Sequence, residues 1–402
     1  KARATSFFIT LFLVLMYGAQ LVYYEIFRVP FSLYSVIGAR DVAQFWDIAL
    51  SAILKNILAV LLLSLPLFVL FLFRKKFLFR FRPRMAAFVF VLIFGVFAYV
   101  GALFAVQITR GADFSQYTLY YDIASPDLSV RRLGVLTAMR LDFTRLILGF
   151  EERGSDQVVA AESSLSSVTV PGPFVSARTH NVTDVNFEKL ILAETDPLLR
   201  DTHTYFSSIQ PTRKNLYTGM FKGDNLIFII AESFSPHAIS RELTPTLYKL
   251  STEGFQFKNF YTPVWGVSTS DGEYVSEMGL LPKAGVWSAL KSSSNYLPFA
   301  LGNQFKKLGY LTKAYHNHTY TYYGRDKSIP NLGYDYKGVG NGLKIKVTWP
   351  ESDLEMMNVT VPEYASSSPF HVYYITVSGH MNYNFYGNFI SVKNKPFVAS
   401  SS

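Results

Sequence analysis

Apolar residues crowd the first 110 positions and then give way to short alternating segments. Residues 6–24 and 85–108 carry no charged side chain, and residues 46–73 carry only Asp47 and Lys55. An α-helix crosses the hydrocarbon core of a bilayer with about 20 apolar residues. Three spans are therefore expected, at 6–24, 46–73 and 85–108, in a transmembrane region covering 1–110. The first run opens on Lys1 and Arg3, as a secretory signal does. It ends in Tyr23-Tyr24-Glu25-Ile26-Phe27, too bulky for a cleavage site that takes small residues. Residues 74–84 hold six basic side chains and no acid. Cytoplasmic loops collect Lys and Arg, so this loop is expected inside the cell and everything after Ile108 outside.

Residues 111–222 read as a juxtamembrane connector. Within 133–150, Leu136, Met139, Phe143, Leu146, Ile147 and Phe150 recur at helical spacing. Such an amphipathic helix either lies on the outer membrane surface or packs on the soluble part of the chain. Residues 163–183 are rich in Ser, Val and Pro and read as an extended linker. From 223 onward short apolar runs alternate with helical segments. Strands are expected at 225–230, 255–260, 310–315 and 371–377, and helices at 244–253 and 296–308. Pro245 suits a first helical position behind Thr244, and Gly254 and Gly309 are the stops. This order predicts a mostly parallel α/β sheet, whose ligands bind at the carboxyl ends of the strands. Glu232, His316 and His380, each read as lying just past a strand, then share one rim.

Charge and cysteine content narrow the reading. The net charge is +9, but six of the basic residues sit in the 74–84 loop. Membrane topology and anionic inner-leaflet lipid account for them, and no nucleic-acid partner is expected. With no cysteine, disulfides and thiolate metal ligands are excluded.

Candidate chemistry concentrates in Ser268-Thr269-Ser270-Asp271-Gly272-Glu273, a hydroxyl-rich turn entering a helix. Upstream, the apolar strand 225–230 delivers Glu232 at its end. A carboxylate beside a hydroxyl at a helix N-terminus suits metal-assisted chemistry on a phosphate ester, because a metal lowers the hydroxyl pKa and the helix end favours an anion. The same residue types also cap helices with no further role.

These blocks resemble the lipoteichoic acid synthase family, membrane-embedded members of the alkaline phosphatase/sulfatase superfamily. Ile230-Ala231-Glu232-Ser233-Phe234 is similar to the first metal-ligand strand, and the Thr269 block resembles the nucleophile turn. Tyr323-Gly324-Arg325-Asp326 and Val377-Ser378-Gly379-His380 resemble the two headgroup-binding blocks. The resemblance implies Thr269 as nucleophile and metal ligand and Glu232 as a second ligand of a divalent ion, Mn2+ or Mg2+. It implies Arg325, His380 and His316 as substrate contacts. It further implies a phosphoglycerol transferase in a bacterial cell membrane, multi-pass, with an extracellular catalytic domain at 223–402. The donor would be phosphatidylglycerol and the acceptor a glycolipid-anchored polymer.

The implied fold is N-terminal transmembrane α-helices followed by an extracellular α/β sulfatase-like domain. Two departures qualify it. The family has five spans where three are read here. It also completes its metal site with a downstream Asp-His pair, whereas no Asp-His dipeptide occurs here and no acid follows Glu363. The sequence is therefore expected to be a fragment, incomplete at the C-terminus, with a half-built metal site and no activity on its own. A transferase of another headgroup, such as phosphoethanolamine, and a non-catalytic membrane protein with a degenerate domain remain the alternatives.

Overall fold

The structure is a computed structural model that describes residues 2–27, 30–33, 46–73, 85–111, 115–122, 125–148, 179–182, 185–261, 268–283, 286–380, 383, 385 and 388–399. The basic loop at 74–84, most of the 163–183 linker, residues 149–150 and Trp265 to Val267 lie outside these residues.

The apolar N-terminus forms α1 (Ala2–Phe27), α2 (Trp46–Lys55), α3 (Ile57–Leu72) and α4 (Met85–Ile108). Within α1 and α4, Thr5–Ile26 and Val89–Ile108 are long and apolar enough to cross a membrane. The 46–73 run, expected as one span, is bent by 82° between α2 and α3. Asn56 explains the break: its backbone N–H and its Nδ2 both donate to the carbonyl of Ala52, so the side chain competes for a helical acceptor. Lys55, at the corner, pairs with Glu25 of α1. α3 alone, at 1.5 Å per residue, is about 24 Å long. A third crossing therefore requires the bent pair to act as one span.

Three short helices follow α4: α5 (Gln116–Tyr121), α6 (Pro126–Leu133) and α7 (Val135–Leu148). Ser115 caps α5 by accepting from the Thr118 N–H, and Gly134, at φ 82°, separates α6 from α7. The helix expected from 133 thus begins at Val135. Residues 156–224 form a separate compact unit. Its described part contains α8 (Phe187–Ala193) and α9 (Pro197–Ser208), capped by Asn186 and Asp196.

The remaining chain builds a five-stranded sheet in the order β1-β5-β2-β3-β4, with every pairing parallel. β1 is Leu226–Ile230. After it come α10 (Pro245–Glu253), α11 (Ser268–Met278), α12 (Ser288–Lys291) and α13 (Leu301–Lys307). β2 is Leu311–Thr319, followed by α14 (Arg325–Asn331), β3 (Asp335–Val339), β4 (Gly342–Leu343), α15 (Asp353–Thr360), β5 (Phe370–Ile375) and α16 (Phe389–Ala399). All six residues of β5 are buried. Successive side chains of a strand point to opposite faces, so Val372 and Tyr374 join Tyr315, Met356 and Tyr364 in one core while Tyr373 and Ile375 join Ala314, Ile329 and Tyr336 in the other.

Several expected elements differ. Residues 255–260 form no strand, and Phe255, Phe257 and Phe260 are exposed. The helix expected at 296–308 is confined to Leu301–Lys307; Pro298 disfavours helix at Leu297. β2 runs on to Thr319, so His316 lies inside the strand rather than past its end. β3 and β4 had no sequence signal: Asp335-Tyr336-Lys337-Gly338-Val339 is short and interrupted by Gly338.

Candidate functional site

At the end of β1 the chain turns sharply, with Ser233 at φ 52°. The Glu232 N–H donates to Thr376 Oγ1 at 2.9 Å, which ties this turn to the end of β5. A Cβ on Gly379 would stand 2.6 Å from the Glu232 carbonyl oxygen, so the two strand-end turns approach closely only because position 379 is glycine. Asp353 holds the second turn by accepting from the N–H groups of Val377 and Ser378.

Three of the expected site residues meet here. Thr269 Oγ1 donates to Glu232 Oε2 at 2.9 Å. His380 Nδ1 lies 3.1 Å from Glu232 Oε1, which also accepts from Ser233 Oγ. Burial pushes the Glu232 carboxyl up, but hydrogen bonds from His380, Thr269 and Ser233 outweigh it and hold the group below its ordinary value. The lowered pKa keeps Glu232 ionised, which strengthens the bond it accepts from Thr269. Thr269 is the second residue of α11, where unpaired N–H groups favour negative charge. The cleft beside it is lined by Ile229, Glu232, Phe260, Tyr261, Thr269 and Val275.

His316 and Arg325 form a second, buried group. Arg325 is 3% exposed, and its Nε lies 3.2 Å from both carboxylate oxygens of Glu273. Arg325 Nη1 lies 3.0 Å from His316 Nε2, while His316 Nδ1 lies 3.1 Å from the Ile375 carbonyl. A carbonyl can only accept, so Nδ1 carries the proton and Nε2 accepts from Arg325. His316 is neutral: burial and the Arg325 charge push its pKa well down. The guanidinium is thus committed to Glu273, and the geometry gives Arg325 a bracing position between α11 and β2.

The sequence reading missed a third pair. His318 Nδ1 lies 2.9 Å from Glu351 Oε1, and Glu351 is 2% exposed. The Trp349 ring lies 5.1 Å from the rings of both His318 and His380, joining this pair to the Thr269 cluster. Two signals were available in the sequence. Glu273 follows Thr269 by four residues on one helical face, and His318 follows His316 by two on one strand face. Glu351 and Trp349 come from a loop and carried no such signal.

Glu232 and Thr269 offer two oxygen donors of the kind a hard divalent cation takes. Among the described residues, however, no group of three or more His, Asp or Glu side chains is placed to hold an ion. The present residues thus fit such a metal in kind but not in number.

The sulfatase family model matches residues 224–395, a stretch that contains the whole sheet and all three side-chain groups. This segment is a sulfatase-like domain. Lipoteichoic acid synthase 2 of Bacillus subtilis is 27% identical over 199 residues, covering 45% of this chain and 29% of that protein. Lipoteichoic acid synthase 1 of the same organism is 28% identical over 193 residues, covering 42% of this chain and 28% of that protein. The matched part thus spans under a third of the length of these relatives. Among solved structures, the lipoteichoic acid synthase LtaP of Listeria monocytogenes aligns with a TM-score of 0.39 at 23% identity, covering 45% of this chain and 47% of that one. The chain resembles lipoteichoic acid synthases in sequence, with apolar N-terminal helices ahead of its sulfatase-like domain.

Proposed function

We propose that the sulfatase-like domain transfers glycerophosphate from phosphatidylglycerol to a growing, glycolipid-anchored polymer through a covalent intermediate on Thr269. The observation that carries this reading is the 2.9 Å contact of Thr269 Oγ1 with Glu232 Oε2 at the head of α11. In the first half-reaction Oγ1 attacks phosphorus while its proton passes to Glu232. The Oγ1–P bond forms, the bond from phosphorus to the diacylglycerol oxygen breaks, and that oxygen is protonated from solvent. In the second, the acceptor oxygen attacks phosphorus, the Oγ1–P bond breaks, Oγ1 recovers its proton from Glu232, and the acceptor's hydroxyl proton passes to solvent. Splitting one transfer in two lowers each barrier. The N-terminus of α11 favours the anionic phosphate throughout.

The role of each residue follows from its place. Glu232 orients and deprotonates Thr269, His380 fixes the Glu232 carboxylate, and Arg325 with His316 braces the wall behind them. A divalent ion, when bound, supplies charge that lowers the hydroxyl pKa, with Glu232 and Thr269 among its donors. Extracellular placement of the domain rests on the positive-inside reading of residues 74–84 and belongs to the same proposal.

The test is mass spectrometry of a version that carries the remaining metal ligands, quenched after exposure to phosphatidylglycerol. A glycerophosphate adduct on the peptide bearing Thr269 is expected, and Thr269→Ala should abolish it. An adduct that persists in Thr269→Ala on Ser268 or Ser270 would move the nucleophile. Absence of any adduct in the unaltered protein, under conditions where diacylglycerol is released, would overturn the covalent reading.

A further inference from the structure

The polarity of α7 is inverted. Ala138, Leu141, Asp142 and Arg145 are buried, whereas Leu136, Phe143, Leu146 and Ile147 are 43–61% exposed. At 3.6 residues per turn these two sets fall on opposite stripes of the helix. A helix that faces water puts its charges outward and its apolar stripe inward; α7 turns Asp142 and Arg145 inward and keeps Arg140 exposed at the edge of the apolar stripe.

The charged stripe has definite partners. Asp142 Oδ2 accepts from the Leu33 N–H at 3.4 Å, and Arg145 Nη2 donates to the Leu119 carbonyl at 2.9 Å. Burial raises the Asp142 pKa against the hydrogen bonds from Ser32 and Leu33 and the charge of Arg145. Leu33 follows α1 and Leu119 lies in α5, just after α4. The polar stripe therefore fastens α7 to the places where both membrane-length helices end.

Two further contacts set its level. Arg140 Nη2 donates to Tyr120 Oη at 2.6 Å, and the Arg110 guanidinium lies 5.3 Å from the Tyr117 ring centre. Tyrosine concentrates at membrane–water boundaries, and long basic side chains near helix ends reach to the same level. On α4, Val100, Phe104 and Ile108 are 56–70% exposed, an apolar surface that the span would present to lipid.

We propose that the outward stripe of α7, Leu136, Phe143, Leu146 and Ile147, is seated in the bilayer at the face where α1 and α4 end. Its occupant is phospholipid at the boundary between headgroups and acyl chains. A helix lying in that plane buries its apolar side by several ångströms, while its opposite side remains with protein. The inference is independent of the chemistry at Thr269.

Because the chain has no cysteine, single cysteines can be introduced and labelled with an environment-sensitive fluorophore in the full chain, reconstituted in phosphatidylglycerol/phosphatidylethanolamine vesicles. Labels at Phe143→Cys and Ile147→Cys should be quenched several-fold more by lipids carrying a nitroxide near the top of the acyl chain than by aqueous iodide. A label at Thr144→Cys, off the stripe, should show the reverse preference. Stronger iodide quenching at positions 143 and 147 would overturn the proposal by placing the stripe in water. Protection from both quenchers would overturn it too, because protein, a second copy included, would then cover the stripe. Equal lipid quenching at 143 and 144 would also count against it, since the helix would be submerged rather than seated on one face.

Discussion

Arg325 shows how much of a residue's meaning is decided by what stands beside it. By type it is a phosphate binder, a planar fork of donors. In the fold Glu273 takes that fork, and Arg325 donates onward to His316. Removing one partner of a buried ion pair leaves the other charge uncompensated and costs about 3–5 kcal/mol. Arg325→Ala should therefore lower the unfolding free energy of the full chain by about 3–5 kcal/mol, measured by denaturant titration. If donor turnover fell while the unfolding curve stayed where it was, Arg325 would instead hold the headgroup, as the family resemblance implies.

At the scale of elements, α11 carries the organisation of the site. Thr269, Glu273 and Glu277 recur every four residues and lie along one stripe of the helix, with three different partners. Thr269 meets Glu232, and Glu273 meets Arg325. Glu277 Oε2 lies 2.8 Å from Tyr334 Oη, which is 2.8 Å from His371 Nε2. His371 Nδ1 faces the Leu226 carbonyl at 3.2 Å and so carries the ring proton. Burial keeps the ring neutral by lowering its pKa. Its Nε2 is then an acceptor beside the Tyr334 hydroxyl, which donates to Glu277 Oε2.

The pKa of Glu277 is set mainly by its burial. Burial, aided by the Glu273 charge and opposed by the Tyr334 hydrogen bond, raises it from 4.5 to about 8. The folded acid therefore keeps its proton where the unfolded one has lost it. This contribution to stability is complete below the unfolded value and is lost as pH rises through about 8. Thermal unfolding from pH 5 to 9 should show a decline in the unaltered chain that is much reduced in Glu277→Gln. Parallel pH profiles for the two would show that Glu277 is ionised throughout.

For the whole molecule, the membrane-length helices and the sulfatase-like domain make one prediction that turns on orientation. In intact cells a membrane-impermeant amine reagent should not reach Lys75 or Lys76, while lysines after residue 113, such as Lys189, should react. Labelling of Lys75 from outside would reverse the topology and place the sulfatase-like domain in the cytoplasm.

The apolar runs and the parallel α/β class were legible in the chain, because each rests on local pattern; of the rim expected from Glu232, His316 and His380, the structure brings Glu232 and His380 together with Thr269 and leaves His316 inside β2 against Arg325. Hydrophobic length marks a helix fit for a bilayer, and a buried strand reads as an apolar run. Strand-end residues of a parallel sheet gather on one rim wherever the strands lie in the order. Three things were decided only in three dimensions. The break at Asn56 depends on a side chain capturing a carbonyl one turn back. The pairing of Arg325 with Glu273 and of His318 with Glu351 joins residues 52 and 33 positions apart, and no periodicity links them. The inverted face of α7 was hidden for a related reason: its spacing announced an amphipathic helix, but only its contacts with Leu33 and Leu119 show that the charged side is the one packed against protein. Sequence fixes which side chains share a face; the tertiary structure decides what each face meets, because burial and partnership belong to the packed chain.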